Sequence, residues 1–195
     1  MIILGILGDI GSGKSFISKQ FKCPVFNADI IVNKIYKKNI FCFKKLKKKL
    51  PKYIKTFPVN KLELTTAILS NKHNLKKIIN IVHPIVRKEM KLFLKKNFKK
   101  KIVILDIPLL IENGLNKKKD ILIFVESNKS QINLRLKKRK NYNKKLINNF
   151  RKLQKPLYHK KKLSTFIIKN DFKLSSIRKR VKFIKKKILY ERNST

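Results

Sequence analysis

Eight residues near the start, Gly8-Asp9-Ile10-Gly11-Ser12-Gly13-Lys14-Ser15, set three glycines, a lysine and a hydroxyl at fixed spacing. They fit G-x-x-x-x-G-K-[ST], a loop whose backbone N–H groups converge on phosphate oxygens. That curvature needs positive φ at some positions, which glycine adopts without a Cβ penalty. In such a loop Lys14 brings a point charge to the β- and γ-phosphates, and the Ser15 hydroxyl ligates Mg²⁺. Composition alone does not produce it: the chain has five glycines, and Gly5, Gly8, Gly11 and Gly13 fall within nine residues. The expected ligand is Mg-ATP, held by Gly11, Ser12, Gly13, Lys14, Ser15 and Phe16.

Further groups turn nucleotide binding towards transfer. Asp29 follows a short apolar stretch fifteen residues after Lys14, where a carboxylate can orient or deprotonate an attacking hydroxyl. Asp106 ends the apolar run Ile102 to Leu105, a position suited to Mg²⁺ or a substrate hydroxyl. Arginine is rare, seven of 52 basic residues, yet Arg135 and Arg139 stand four apart. That spacing predicts one helix face and a clamp on phosphate, for which only Arg offers a fixed fork. His83, just before Pro84 and four residues before Arg87, is a candidate substrate contact. The three histidines are scattered and make no metal site.

The elements that must position these groups alternate. Ile2 to Leu7 reads as a buried parallel strand, and Ser15 to Phe21 as the helix leaving the loop. Pro24 to Phe26, Ile102 to Asp106, Ile121 to Val125 and Phe166 to Ile168 read as further strands. Helices are expected from Ala28, over Ser130 to Lys140, over Leu146 to Leu153, and over Leu174 to Tyr190. Between residues 37 and 100 apolar residues recur at helical spacing, predicting one helix around Leu62 to Leu69, a second from Leu75 to Val82, and a third entered through Pro84. The fold expected is α/β, a P-loop-type parallel sheet flanked by helices, with residues 37–100 as a helical insert.

Charge is extreme, with 52 Lys and Arg against 10 Asp and Glu and a net +42. This admits a nucleic-acid binder. However, the excess is almost all Lys, and Lys, Ile, Asn and Phe share A/T-rich codons, so biased composition explains the charge without a specific nucleic-acid partner. No apolar run reaches the roughly 18 residues of a membrane span. Neither the opening residues nor the two cysteines indicate export, so a cytoplasmic protein is expected. The residues themselves leave open a nucleoside or nucleoside-monophosphate kinase, or a basic nucleic-acid-binding protein on a P-loop fold.

The chain resembles the dephospho-CoA kinase family over essentially its whole length. The family's G-I-G-S-G-K-S loop is matched by Ile10 to Ser15, its Asp-Ala-Asp segment by Asn27-Ala28-Asp29, and His-Pro-x-x-Arg by His83 to Arg87. The D-x-P-L-L-x-E element appears as Asp106 to Glu112. Gln131, Arg135, Arg139, Gln154, Pro156 and Lys160 fall at family spacing. The resemblance implies a single P-loop kinase domain in three parts: a core at about 1–36 and 101–195, a helical CoA-binding, substrate-binding insert at about 37–100 and a basic helical lid at about 139–163. It also implies transfer of the ATP γ-phosphate to the ribose 3′-hydroxyl of dephospho-CoA, the last step of coenzyme A synthesis. Asp29 and Lys14 would be catalytic along with Arg139, while Asp29, His83, Arg87, Asp106 and Leu109 would meet the substrate. A monomer or weak homo-oligomer is expected. Among the departures, Asn27, Phe16, Thr165 and Lys61 replace family residues, and Asp9 stands where the family has glycine. At ~4 Å a carboxylate repels a unit of phosphate charge by about 1 kcal/mol in water, and by more when shielded from it.

Overall fold

A computed structural model describes residues 1–140 and 142–193. The chain forms two compact units, one of residues 1–26, 97–142 and 151–195, the other of residues 27–96 and 143–150.

The first unit carries the sheet. Strands β1 (Ile2–Gly8), β2 (Val25–Asn27), β3 (Ile102–Asp106), β4 (Ile121–Glu126) and β5 (Phe166–Lys169) lie in the order β2-β3-β1-β4-β5. β1 is central, pairing in parallel with β3 from Ile2↔Ile102 to Gly5↔Leu105 and with β4 from Leu4↔Ile121 to Gly8↔Val125. β3 is buried along all five residues, as its unbroken apolar sequence requires when both sheet faces are covered. On one face Leu4, Ile6, Ile104 and Ile123 pack with the C-terminal helix, whose Ile177, Val181, Ile184 and Ile188 form the buried stripe. The other face closes so tightly over Gly5 that a Cβ there would stand 2.5 Å from Leu110 Cδ2 and 2.7 Å from Leu122 Cδ2.

The helices are α1 (Lys14–Gln20), α2 (Ala28–Lys38), α3 (Ile40–Lys49), α4 (Lys61–Ser70), α5 (Lys72–Lys96), α6 (Lys129–Lys137), α7 (Lys144–Arg151), α8 (Leu157–Lys162) and α9 (Leu174–Asn193). Asparagine, abundant in this composition, starts several of them. Asn27, Asn39, Asn60 and Asn128 each accept a first-turn N–H at 2.8 to 2.9 Å. A cap of this kind is worth roughly 1 kcal/mol.

The second unit corrects one expectation and adds a helix. Residues 72–96 form one 25-residue helix with Pro84 inside it, not two helices meeting at the proline. Proline deletes one hydrogen bond, but the buried stripe Leu75, Ile78, Val82, Val86 and Met90 runs unbroken across it. Packing of that stripe outweighs the local loss. Helix α3, which sequence spacing left unassigned, buries only Cys42 and Leu46 among its lysines.

Candidate functional site

The loop after β1 bends through three left-handed or extended-positive glycines, Gly8 at φ 144°, Gly11 at 87° and Gly13 at 90°. Space matters as much as torsion. A Cβ on Gly11 would sit 2.9 Å from Leu136 Cγ, and one on Gly13 would sit 2.4 Å from Asn170 Nδ2. The buried face of α6, Ile132 and Leu136, therefore rests directly on the loop. Gly13 is the N-cap of α1 and contributes no side-chain cap to the first-turn N–H groups. Such a glycine-lined turn at a helix N-terminus matches the cradle that phosphate oxygens require.

Two donors hold the loop from the neighbouring strand ends. Ser127 Oγ and Asn170 Nδ2 both donate to the Ser12 carbonyl, at 2.9 and 2.7 Å. Asn170 is buried and also accepts the Phe172 N–H at 2.9 Å. The Ser12 hydroxyl, itself buried, meets no partner within hydrogen-bond distance. Lys14 Nζ folds back over the loop, donating to the carbonyls of Asp9 at 2.8 Å and Gly8 at 3.2 Å. Its ammonium thus sits over the turn, where the motif's chemistry needs it. Ser15 and Phe16 lie exposed in the first turn of α1, side by side with the loop.

Asp9 is not the bare carboxylate that its sequence context implies. Its Oδ1 accepts the Ile10 N–H at 2.7 Å and Arg151 Nε at 3.2 Å, while Oδ2 accepts Arg151 Nη2 at 2.9 Å. Arg151, the last residue of α7, begins a returning arm, residues 151–163, that is anchored in turn. Glu112, from the segment after β3, accepts the Lys155 N–H at 2.9 Å and pairs with buried Lys160 at 2.8 Å. Lys160 also donates to Gln154 Oε1 at 2.9 Å. Residues 106–112 therefore do two things: Leu110 fills the space over Gly5, and Glu112 clamps the arm.

Asp106 closes β3, next to the strand that feeds the loop, and is buried at 3% exposure. Leu109, half-buried, follows in the turn after it. Arg135 lies on α6 with its guanidinium carbon 4.4 Å from the centroid of the Phe172 ring. Phe172 in turn borders Gly13, its Cε1 lying 3.5 Å from where a Cβ would be. Arg139 corrects an expectation, since α6 ends at Lys137 and Arg139 falls in the turn beyond it. The apolar spacing that carries the helix stops at Leu136, and the lysines after it have nothing to bury. Asp29, His83 and Arg87 belong to the other unit. Asp29 is exposed in the first turn of α2, and the capping role there falls to Asn27. His83 is half-buried and Arg87 exposed, one turn apart on α5.

Sequence reasoning did not single out Ser127, Phe172 or Arg151. Each acts through a partner far along the chain, and no local spacing marks it. Asn170 lies just past the strand expected at Phe166 to Ile168, where nothing local marks it.

A parallel sheet whose central strand feeds a glycine cradle, with lysine curled over it, defines a P-loop nucleotide-binding fold. The sequence profile of the dephospho-CoA kinase family matches residues 2–176, and the chain belongs to that family. A dephospho-CoA kinase of Wolbachia from Brugia malayi is 33% identical over 174 residues, covering 86% of this chain and 88% of the relative. Among solved structures, TT1252 from Thermus thermophilus superposes with a TM-score of 0.73 at 25% identity, over 97% of each chain. Dephospho-CoA kinase from Campylobacter jejuni shares the fold, with a TM-score of 0.66 at 21% identity over 95% of this chain and 96% of that one. No helix among the described residues is long and apolar enough to cross a membrane.

Proposed function

We propose that this chain transfers the γ-phosphate of ATP to the ribose 3′-hydroxyl of dephospho-CoA, giving CoA and ADP. The observation that carries this reading is the loop at Gly8 to Ser15, with Lys14 Nζ held over its carbonyls, in a chain of this family. Phosphate oxygens would be cradled by Gly11, Ser12 and Gly13 and by the first-turn N–H groups at Lys14, Ser15 and Phe16. Lys14 would exchange its carbonyl contacts for the β- and γ-phosphates.

The residues present fit a hard cation bound through the nucleotide. The Ser15 hydroxyl at the loop and the Asp106 carboxylate at the end of β3 would be its oxygen donors, while no group of three or more His, Cys, Asp or Glu among the described residues could hold a metal unaided. Mg²⁺, when bound, neutralises charge building on the transferring phosphoryl group. Asp29 is the proposed base for the 3′-hydroxyl, with His83, Arg87, Asp106 and Leu109 contacting the acceptor. Arg139 would stabilise the phosphoryl charge. The Arg135–Phe172 pair, bordering Gly13, offers a flat cationic and aromatic platform for the nucleotide base.

Residues 139–163 are proposed as the lid and residues 37–100 as the CoA-binding insert. We read the protein as a cytoplasmic enzyme, monomeric or weakly self-associating, with dephospho-CoA as its small-molecule partner and no specific nucleic acid. A coupled ADP-release assay offering dephospho-CoA, pantothenate, AMP, dCMP and shikimate tests it. Turnover on dephospho-CoA is expected. Silence there with clear turnover on AMP or another acceptor would refute the assignment.

A further inference from the structure

Asp9 puts a negative charge into a loop built for anions, and the fold answers it with an arginine 142 residues later. The contact has the geometry of a deliberate pair. Both carboxylate oxygens are engaged, by Nε at 3.2 Å and Nη2 at 2.9 Å, the forked arrangement that only guanidinium offers. It is also partly withdrawn from water, with 14% of the Asp9 side chain and 35% of the Arg151 side chain exposed. Exposed ion pairs contribute little, but shielding strengthens this one and raises the penalty of leaving Asp9 alone. The same residue touches the phosphate machinery through its backbone, since the Asp9 carbonyl accepts Lys14 Nζ at 2.8 Å. A cavity of about 390 Å³ opens beside the pair, with Lys129, Asn133 and Gln154 on its walls. Charge at Asp9 is therefore felt by whatever anion approaches the loop.

We propose that Asp9 and Arg151 work as one neutral forked unit, in which Arg151 is a positioning residue that cancels the loop carboxylate and so lets ATP phosphates settle. Asp9 in return fixes the start of the returning arm at the loop. The proposal rests on ATP being the nucleotide of this loop. Binding measured without any acceptor keeps its failure distinct from a wrong acceptor.

The test is calorimetric titration of ATP into the parent protein and into Arg151→Gln, Asp9→Asn and the double variant. Arg151→Gln is expected to weaken ATP binding about 10- to 100-fold, the range set by a carboxylate some 4 to 6 Å from phosphate at intermediate screening. Asp9→Asn is expected to bind ATP at least as tightly as the parent. The double variant is expected to recover most of the loss caused by Arg151→Gln alone, which no merely structural role of Arg151 would produce. Arg151→Lys, keeping charge without the fork, should fall between Arg151→Gln and the parent. Two results overturn the proposal. One is an Arg151→Gln affinity within twofold of the parent. The other is a double variant as weak as Arg151→Gln, which would mean that Arg151 acts on phosphate directly and not through Asp9.

Discussion

Lys160 has 1% of its side chain exposed, and the carboxylate it pairs with, Glu112, has 8%. Replacing Lys160 with Met removes the ammonium while roughly filling its volume. Glu112 then keeps one donor, the Lys155 N–H at 2.9 Å, and its Oε2 already has no partner. Gln154 loses its contact as well. Breaking a buried pair by deleting one partner leaves an uncompensated charge and costs about 3–5 kcal/mol. At this chain length each kcal/mol moves the melting temperature by roughly 2–4 °C, so Lys160→Met should lower Tm by about 6–20 °C. Removing both charges, as Lys160→Met with Glu112→Gln, leaves no ion unpaired and should recover most of that loss. Scanning calorimetry on the two single variants, the double variant and the parent decides it. A single variant melting within about 2 °C of the parent would refute the reasoning, because the pair would then carry no net stability. So would a double variant melting at the sum of the two single losses, because the partners would then act independently.

Asp29→Asn is expected to leave ATP affinity largely intact and lower kcat by about 10²- to 10⁴-fold; steady-state rates beside an ATP titration check this, and an unchanged kcat removes Asp29 from the chemistry. Phe172→Ala takes away the ring under Arg135 and should raise KM for ATP several-fold while sparing kcat, read from ADP release at varied ATP. Burial pushes the Cys42 thiol up to about 11, against the opposing charge of Lys45, so it stays protonated at pH 8. One thiol, the half-buried Cys23, should react with Ellman's reagent in the native protein and the second only after unfolding. With 52 basic and 10 acidic residues the folded chain repels itself, so Tm should rise when NaCl goes from 50 to 500 mM.

What the sequence made legible is what local periodicity encodes. The apolar runs of β1, β3 and β4 can only be buried strands, and the loop between β1 and α1 announces itself by glycine spacing. Helix ends were harder. Lysine runs have good helix propensity wherever they stand, so α6 read as reaching Lys140 although the packing that supports it stops at Leu136. Proline was over-read at residue 84 for the opposite reason. A propensity rule speaks for one residue, while the stripe from Leu75 to Met90 is set by five buried contacts at once.

Within the site, residues that act on their own neighbours were readable and residues that act across the chain were not. Lys14 and Ser15 sit in the motif that defines them. Ser127 and Asn170 meet on the Ser12 carbonyl only because β4 and β5 end beside the loop, which the sheet order decides. Asp9 is the sharpest case. Read locally, it is a carboxylate misplaced among phosphate-binding groups, and the natural conclusion is a weakened loop. Placed in the fold, its charge is matched by Arg151, one of only seven arginines in a chain that otherwise spends its positive charge as lysine. A lysine there would supply charge but no fork. Where composition pushes so strongly towards lysine, an arginine engaged through two nitrogens is a position at which geometry, not bias, set the residue.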